Sequence, residues 1–247
     1  MYEFRRILQT DLKNLCINPM WWVGTMGLPL FLALIMGFVT QSTFGTIVTS
    51  YDYYAVTMLI FGALNNSTIA ANSFMEGRIL KANMRLCSAP IPDFYIFLPK
   101  IIASFLFGTL CHTLAAVALF LITGANYGGG NAFLLWLLLL AVFFFAVCFS
   151  VMLCCILKKE ETVNMILSTV VSLLCLLGGA FFPMKGLGRV VGAVSNISPV
   201  TWIGAAAFQG VYDGKFFLLG AVCGVMLTLA ALCIALTTKL FNREDYL

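Results

Sequence analysis

Charge is what this sequence has least of: 10% of its 247 residues are Asp, Glu, Lys or Arg, against roughly 25% in ordinary soluble domains. With 62% hydrophobic residues and a mean hydropathy of +1.01, that scarcity excludes a chain surrounded by water and points to a bilayer. Histidine is almost missing too. His112 is the single one, and no second histidine or nearby carboxylate stands ready to complete a metal or catalytic centre with it; a packed or hydrogen-bonded side chain is the expected role. No Asp or Glu falls well inside a predicted span, which removes the carboxylate relay of proton-coupled carriers; Asp52 is expected only to mark an outer edge. A phosphate-cradling loop ending in Gly-Lys-Ser or Gly-Lys-Thr is absent, so ATP is not hydrolysed by that route in this chain. The net charge of +4 is small and its carriers are scattered, which excludes nucleic acid as a partner. No small-residue cleavage site follows Arg5 and Arg6 promptly, so the first apolar run is expected to be retained. Cysteine is not scarce, but its nine copies are odd in number and sit mostly in apolar runs, where thiols pack as small hydrophobes; no disulfide framework is expected.

What remains is long uncharged runs. A hydrocarbon layer of roughly 30 Å takes about 20 helical residues to cross, and six crossings are predicted at 20–41, 53–75, 99–123, 132–157, 162–183 and 216–238. They are helical because a lone strand in lipid would leave its backbone unpaired. The third and fourth are separated by the turn formers Gly124 to Asn131. An even number of crossings puts both termini on one side. That side collects Arg5, Arg6, Lys13, Arg78, Lys81, Arg85, Lys100, Lys158, Lys159, Lys239 and Arg243, and the other only Lys185, Arg189 and Lys215, so the termini are predicted to be cytoplasmic. The uncharged stretch 190–212 carries Ser195, Asn196, Ser198, Pro199, Thr201 and Gln209; it reads as helical but not spanning, and letting it cross would weaken the asymmetry.

Three connecting segments have patterns of their own. In 1–19, Phe4, Ile7, Leu8, Leu12 and Leu15 recur at helical spacing with Glu3, Arg5, Arg6, Asp11 and Lys13 elsewhere on the wheel, which fits either an interfacial helix or a basic flank anchoring the first span. In 76–88, Arg78, Lys81 and Arg85 share one narrow face and Ile79, Ala82 and Leu86 another. Such a helix can dock on a partner; a solvated basic loop is the plainer reading. It stops before Pro90 and Pro92. The 184–212 region is predicted to hold two short helices dipping in from outside and joined at Ser198-Pro199, since irregular backbone at membrane depth needs protein or water to satisfy it. Polar groups inside spans are Asn65, Asn66, Ser67, Thr68 and Asn72 in the second and Asn164, Ser168, Thr169 and Ser172 in the fifth. They are candidates for a translocation surface or for helix-to-helix hydrogen bonds.

This layout resembles the membrane subunits of ABC exporters of the second type, the drug, lipid and polysaccharide export permeases. Glu76 through Pro90, continuing to Lys100, looks like the family's segment of a glutamate, basic residues, a leucine, a proline and a lysine opening the third span. Gly178-Gly179-Ala180-Phe181-Phe182-Pro183 is similar to its fifth-span ending, and Asn196-Ile197-Ser198-Pro199 to its Asn-x-x-Pro turn. Where family members often read Arg-Gly-Thr after the glutamate, Gly77-Arg78-Ile79-Leu80-Lys81 stands here. The resemblance implies an all-α permease with an interfacial N-terminal helix, six spans and a re-entrant extracellular pair before the last. It implies that 76–88, through Glu76, Arg78, Ile79, Lys81, Arg85 and Leu86, is a coupling helix seated in a separate ATP-binding subunit that holds ATP and Mg; this chain itself would bind no cofactor and catalyse nothing. Two permease copies, identical or homologous, would pair in the lipid with their second and fifth spans (Asn65, Asn66, Thr68, Asn72, Asn164, Ser168, Ser172) lining the pathway. Phe181, Phe182, Pro183, Asn196 and Pro199 would form the extracellular gate. The cargo expected is hydrophobic or amphiphilic and the location a bacterial plasma membrane. The competing reading is a carrier or channel driven by an ion gradient; a lipid-modifying enzyme using His112 ranks below it.

Overall fold

The computed structural model describes residues 2–45, 48–75, 83–184 and 188–243, with the Arg189 side chain outside the description. Among these residues there are helices and no strands. The terminal helix α1 (Tyr2–Ile17) is separated from the first span, α2 (Pro19–Val39), at Asn18. Pro19 has no N–H to continue the ladder, and Asn18 turns extended while its side chain accepts from the Met20 amide (3.1 Å). The second span is broken into α3 (Ser50–Asn65) and α4 (Thr68–Met75). Then come α5 (Phe94–Thr123), α6 (Ala132–Leu157) and α7 (Glu160–Leu177), two shorter helices, α8 (Arg189–Ser195) and α9 (Pro199–Tyr212), and the last span, α10 (Phe217–Leu240).

Six helical stretches are long and apolar enough to cross a membrane: Pro19–Val39, Ser50–Met75, Phe94–Thr123, Gly129–Leu157, Glu160–Leu177 and Phe217–Leu240. The chain is a multi-pass all-α membrane protein. Most boundaries fall within about three residues of the sequence expectation, and two differ by more. The third helix starts at Phe94 rather than near 99, because the amides of Tyr95 and Ile96 bond back to the carbonyls of Pro92 and Asp93 (3.0 and 2.9 Å) and make a first turn that tolerates Pro99. The fifth stops at Leu177 rather than 183. Gly179, at φ +79, lets the Ala180 amide reach back to the Cys175 carbonyl (2.9 Å) and the Gly179 amide to Leu176 (3.4 Å), a left-handed helix end that only glycine adopts cheaply.

The second span is the centre of the bundle. Its most apolar window is 83% buried, against 22% for the first and fifth spans and 28% for the sixth. It also has the lowest hydropathy of the six, 1.2 against 2.9 for the fourth. The two facts belong together: a helix carrying this many amides and hydroxyls is tolerable in hydrocarbon when protein, rather than lipid, surrounds it. The first span packs along it, the fourth and fifth flank it, and the sixth lies on the fourth. Outward, Phe31, Phe38, Leu121, Phe133 and Met165 are all more than 60% exposed, as lipid-facing side chains are.

Candidate functional site

Contacts sort the connecting segments into two clusters. At the terminal end, α1 lies along the start of α5: Leu15 is buried with Phe107 and Cys111, and Phe4 meets Tyr95 edge-on. Asp11 falls within the apolar stripe of α1 and is 6% exposed, while Lys100, one turn past Ile96, is 1% exposed. The Lys100 ammonium donates to both Asp11 carboxylate oxygens (3.2 and 3.4 Å) and to the Ser73 carbonyl (3.0 Å). All three ammonium hydrogens are thereby used, which is what a buried lysine requires. Burial pushes the Asp11 carboxyl up from its ordinary range, and the charge and hydrogen bond of Lys100 pull against it. At the next residue, the Asn83 side-chain amide donates to the Phe74 carbonyl (2.7 Å), and Phe241, just past α10, lies edge-on to Phe74. Thus the last turn of α4, immediately before 76–82, is held by α1, α5 and the segment that follows.

Of the docking residues expected from sequence, Glu76, Arg78, Ile79 and Lys81 lie outside the described residues. Arg85 is exposed on the short helix 83–87, and Leu86 is half-buried against the core. The sequence expectation that Asp11 lies off the apolar face is corrected here: it is three residues after Leu8 and four before Leu15, which puts it on the buried face.

In the middle of the bundle, α3 and α4 are interrupted at Asn66-Ser67, and α2 carries a π turn at Val23–Gly27. The Asn66 amide bridges the two irregularities by donating to the Thr25 carbonyl (2.9 Å), a carbonyl of the kind that a π turn frees from the helix ladder. Asn65 and Thr68 are half-buried, the Thr68 hydroxyl donating to the Asn65 carbonyl (3.1 Å). Between the second and fifth spans the Asn164 amide donates to the Asn72 side-chain carbonyl (2.7 Å). Ser168 is half-buried and Ser172 exposed on the outer surface of α7. His112 packs edge-on against Phe143, and neither ring nitrogen has a hydrogen-bond partner. All nine cysteines are free, and Cys16 alone is exposed.

At the far end, Asp52 does more than mark an edge. It completes a capping box with Thr49 at the start of α3, and its other oxygen accepts the Asn126 backbone N–H (2.6 Å), tying the 124–131 turn down. The Tyr212 hydroxyl donates to the Asn126 carbonyl (3.1 Å). Tyr53 and Tyr54 donate to the carbonyls of Gly179 (2.5 Å) and Phe181 (3.0 Å) and so carry the reversed chain beyond α7. The Ser198 hydroxyl caps α9 and donates to the Leu174 carbonyl (2.7 Å). Gly178 permits the approach of α9, since a Cβ there would stand 2.6 Å from Val200 Cβ. Phe181 is half-buried against Phe61, whereas Phe182, Pro183, Asn196 and Pro199 are exposed, and the Asn196 carbonyl accepts the Trp202 indole N–H (3.0 Å). Between α3, the end of α7 and α9 lies a cavity of about 410 Å³ walled by Tyr53, Thr57, Pro183, Thr201 and Phe208 among others.

No group of three or more histidine, cysteine or acidic residues able to hold a metal occurs among the described residues. The arrangement is a membrane bundle with a charged, rigid junction at one end and a hydroxyl-tethered cap over a cavity at the other. A comparison with curated proteins finds no match. A family model described as ABC-2 type transporter, in contrast, matches residues 2–212, running from α1 through all but the last span. The chain therefore belongs to the ABC-2 type transporter family, as a membrane permease component.

Proposed function

We propose that this permease is the half-size membrane subunit of an exporter driven by a separate ATP-binding subunit. The observation that carries the reading is the junction at Ser73. A segment that takes a push at 76–88 must pass it on, and here the preceding turn is joined by a buried ion pair to α1 and α5. Eleven of the fourteen basic residues fall on the terminal side under the six-span topology, which favours a cytoplasmic position for that end. Closure of two ATP-bound subunits would move the segments they hold, and rigid spans would carry that displacement across the bilayer.

In this reading a second permease copy or homologue faces the exposed side of α7, with Ser168 and Ser172 toward the shared pathway and the Asn72–Asn164 bond setting the angle between the second and fifth spans. Phe181, Phe182, Pro183, Asn196 and Pro199 form the extracellular gate, and 184–212 re-enters the membrane beneath it. The cargo is hydrophobic or amphiphilic, and the membrane a bacterial plasma membrane.

The test is transport of a fluorescent amphiphile into inside-out vesicles. Uptake is expected to require ATP hydrolysis and to survive collapse of ion gradients by ionophores. Uptake that runs on an imposed ion gradient without ATP would replace this reading with that of a secondary carrier.

A further inference from the structure

The segment after 76–82 is held by a residue from the opposite end of the chain. Arg243 lies three residues beyond the end of α10. Its Nε donates to the Asp93 carboxylate (2.5 Å), Nη1 to the carbonyls of Cys87 (3.2 Å) and Ala89 (2.9 Å), and Nη2 to that of Ile91. Carbonyls 87, 89 and 91 therefore converge on one guanidinium. Pro90 and Pro92 have no N–H, so this turn is short of backbone donors, and the planar fork supplies what the chain lacks. A lysine, with a single nitrogen, could not span four acceptors. Two residues earlier, Phe241 is 8% exposed and in ring contact with both Phe74 and Phe97. The tail is thus inserted between the two arms that enclose 76–82.

We propose that Arg243 is a positioning residue that fastens the end of the sixth span to the 87–93 turn, so that a displacement of the 76–88 segment moves the second, third and sixth spans together. The proposal rests on reading 76–88 as the coupling segment for its consequence, though not for the fastening itself. Four charge-assisted or polar contacts from one side chain make the turn and the tail a single unit. Without them, the proline-interrupted turn keeps only its local hydrogen bonds, and movement at 76–88 is absorbed there instead of reaching the sixth span.

Cys87 provides the reporter. Its carbonyl is one of the four acceptors and the residue is 4% exposed, while Cys16 is exposed. Burial pushes the Cys87 thiol up, with the charges of Arg243 and Lys100 pulling it back. Deleting Arg243 thus raises the thiol further, which at constant exposure slows alkylation. An acceleration in the variant can only report opening.

The experiment measures peptide-resolved N-ethylmaleimide labelling in native membranes. In the wild type, Cys87 should react far more slowly than Cys16; equal rates would overturn the proposal without any variant. Arg243→Gln should speed Cys87 labelling by about tenfold or more, the equivalent of losing one or two charge-assisted hydrogen bonds, with Cys111 and Cys148 still protected. Arg243→Lys should fall between. Unchanged Cys87 labelling in Arg243→Gln, or full protection by lysine, would overturn it. ATP-dependent uptake of the same fluorescent amphiphile, measured in parallel, should fall in Arg243→Gln and recover partly in Arg243→Lys. Absence of ATP-dependent uptake in the wild type would count against the exporter reading and leave the labelling result to decide the fastening.

Discussion

The two ends of the second span are held by different chemistry. At its terminal end the anchors are charged and fully committed: Lys100 spends three donors on Asp11 and Ser73, and Arg243 spends its fork on the 87–93 turn. At its far end the Asp52 carboxylate holds the 124–131 turn, but the chain that reverses after α7 hangs on single neutral hydroxyls, Tyr53 and Tyr54 on the second span and Ser198 on α9, each donating to one carbonyl. A buried charge pair such as Asp11–Lys100 is costly to break one-sidedly, an exposed one such as Asp93–Arg243 much less so, and a neutral hydrogen bond is worth about 1 kcal/mol. One end is cross-linked by charged groups and the other largely by contacts that can be exchanged, as the proposed exporter, opening on that side, would require.

Substitutions can break or sharpen that contrast. Lys100→Met strands the Asp11 carboxylate and should cost about 3–5 kcal/mol, while the double replacement Asp11→Leu with Lys100→Met should recover much of it; thermal melts in detergent, double against single, would show whether the pair is coupled. The same single variant carries a pH signature. With Lys100 gone, burial acts unopposed and raises the Asp11 carboxyl further above its unfolded value. Stability is then greatest at low pH and lost as pH rises through the raised pKa, so Lys100→Met should melt higher at about pH 5 than at about pH 8. Equal melts would mean that Asp11 is not buried as described.

At the far end, Gly178→Ala places a methyl against Val200 and should cost about 1–3 kcal/mol by displacing α9, read as a lowered melting temperature with α9 opened to proteolysis. Tyr53→Phe removes one hydrogen bond and should cost about 1 kcal/mol while loosening the 178–184 chain; a loss as large as that of Lys100→Met would erase the distinction between the ends. Smallest of all, Asn164→Leu breaks the Asn72 bond between the second and fifth spans at about 0.6 kcal/mol, measurable by melting in bicelles.

The spans were legible because a long uncharged run has one physical solution in lipid, and the helix starts and stops near Asn18-Pro19 and Gly124 followed from known turn chemistry. The end of the fifth span was not, because Gly178-Gly179 reads as continuing apolar sequence; the left-handed turn at the second glycine is held by the distant Tyr53 hydroxyl on its carbonyl and by α9 packing against the first. Polar span residues could be found but not assigned. Asn66 serves the π turn of the first span, and a π turn leaves no mark in composition. The anchors of the terminal end were the least visible. Lys100 was noticed as the residue opening the third span, but its partner lies 89 positions away, and Arg243, among the eleven residues of a charge asymmetry, showed nothing of its four acceptors 150 or more positions earlier.

The central claim is that the charged end receives its motion from another protein. Affinity purification of the permease from its own membranes tests this directly. The account predicts that an ATP-hydrolysing subunit accompanies the wild type and is lost in the Glu76→Ala and Arg78→Glu variants, which still insert normally. A permease that comes out alone and still transports, or an ATPase that binds those variants as well as the wild type, would contradict it.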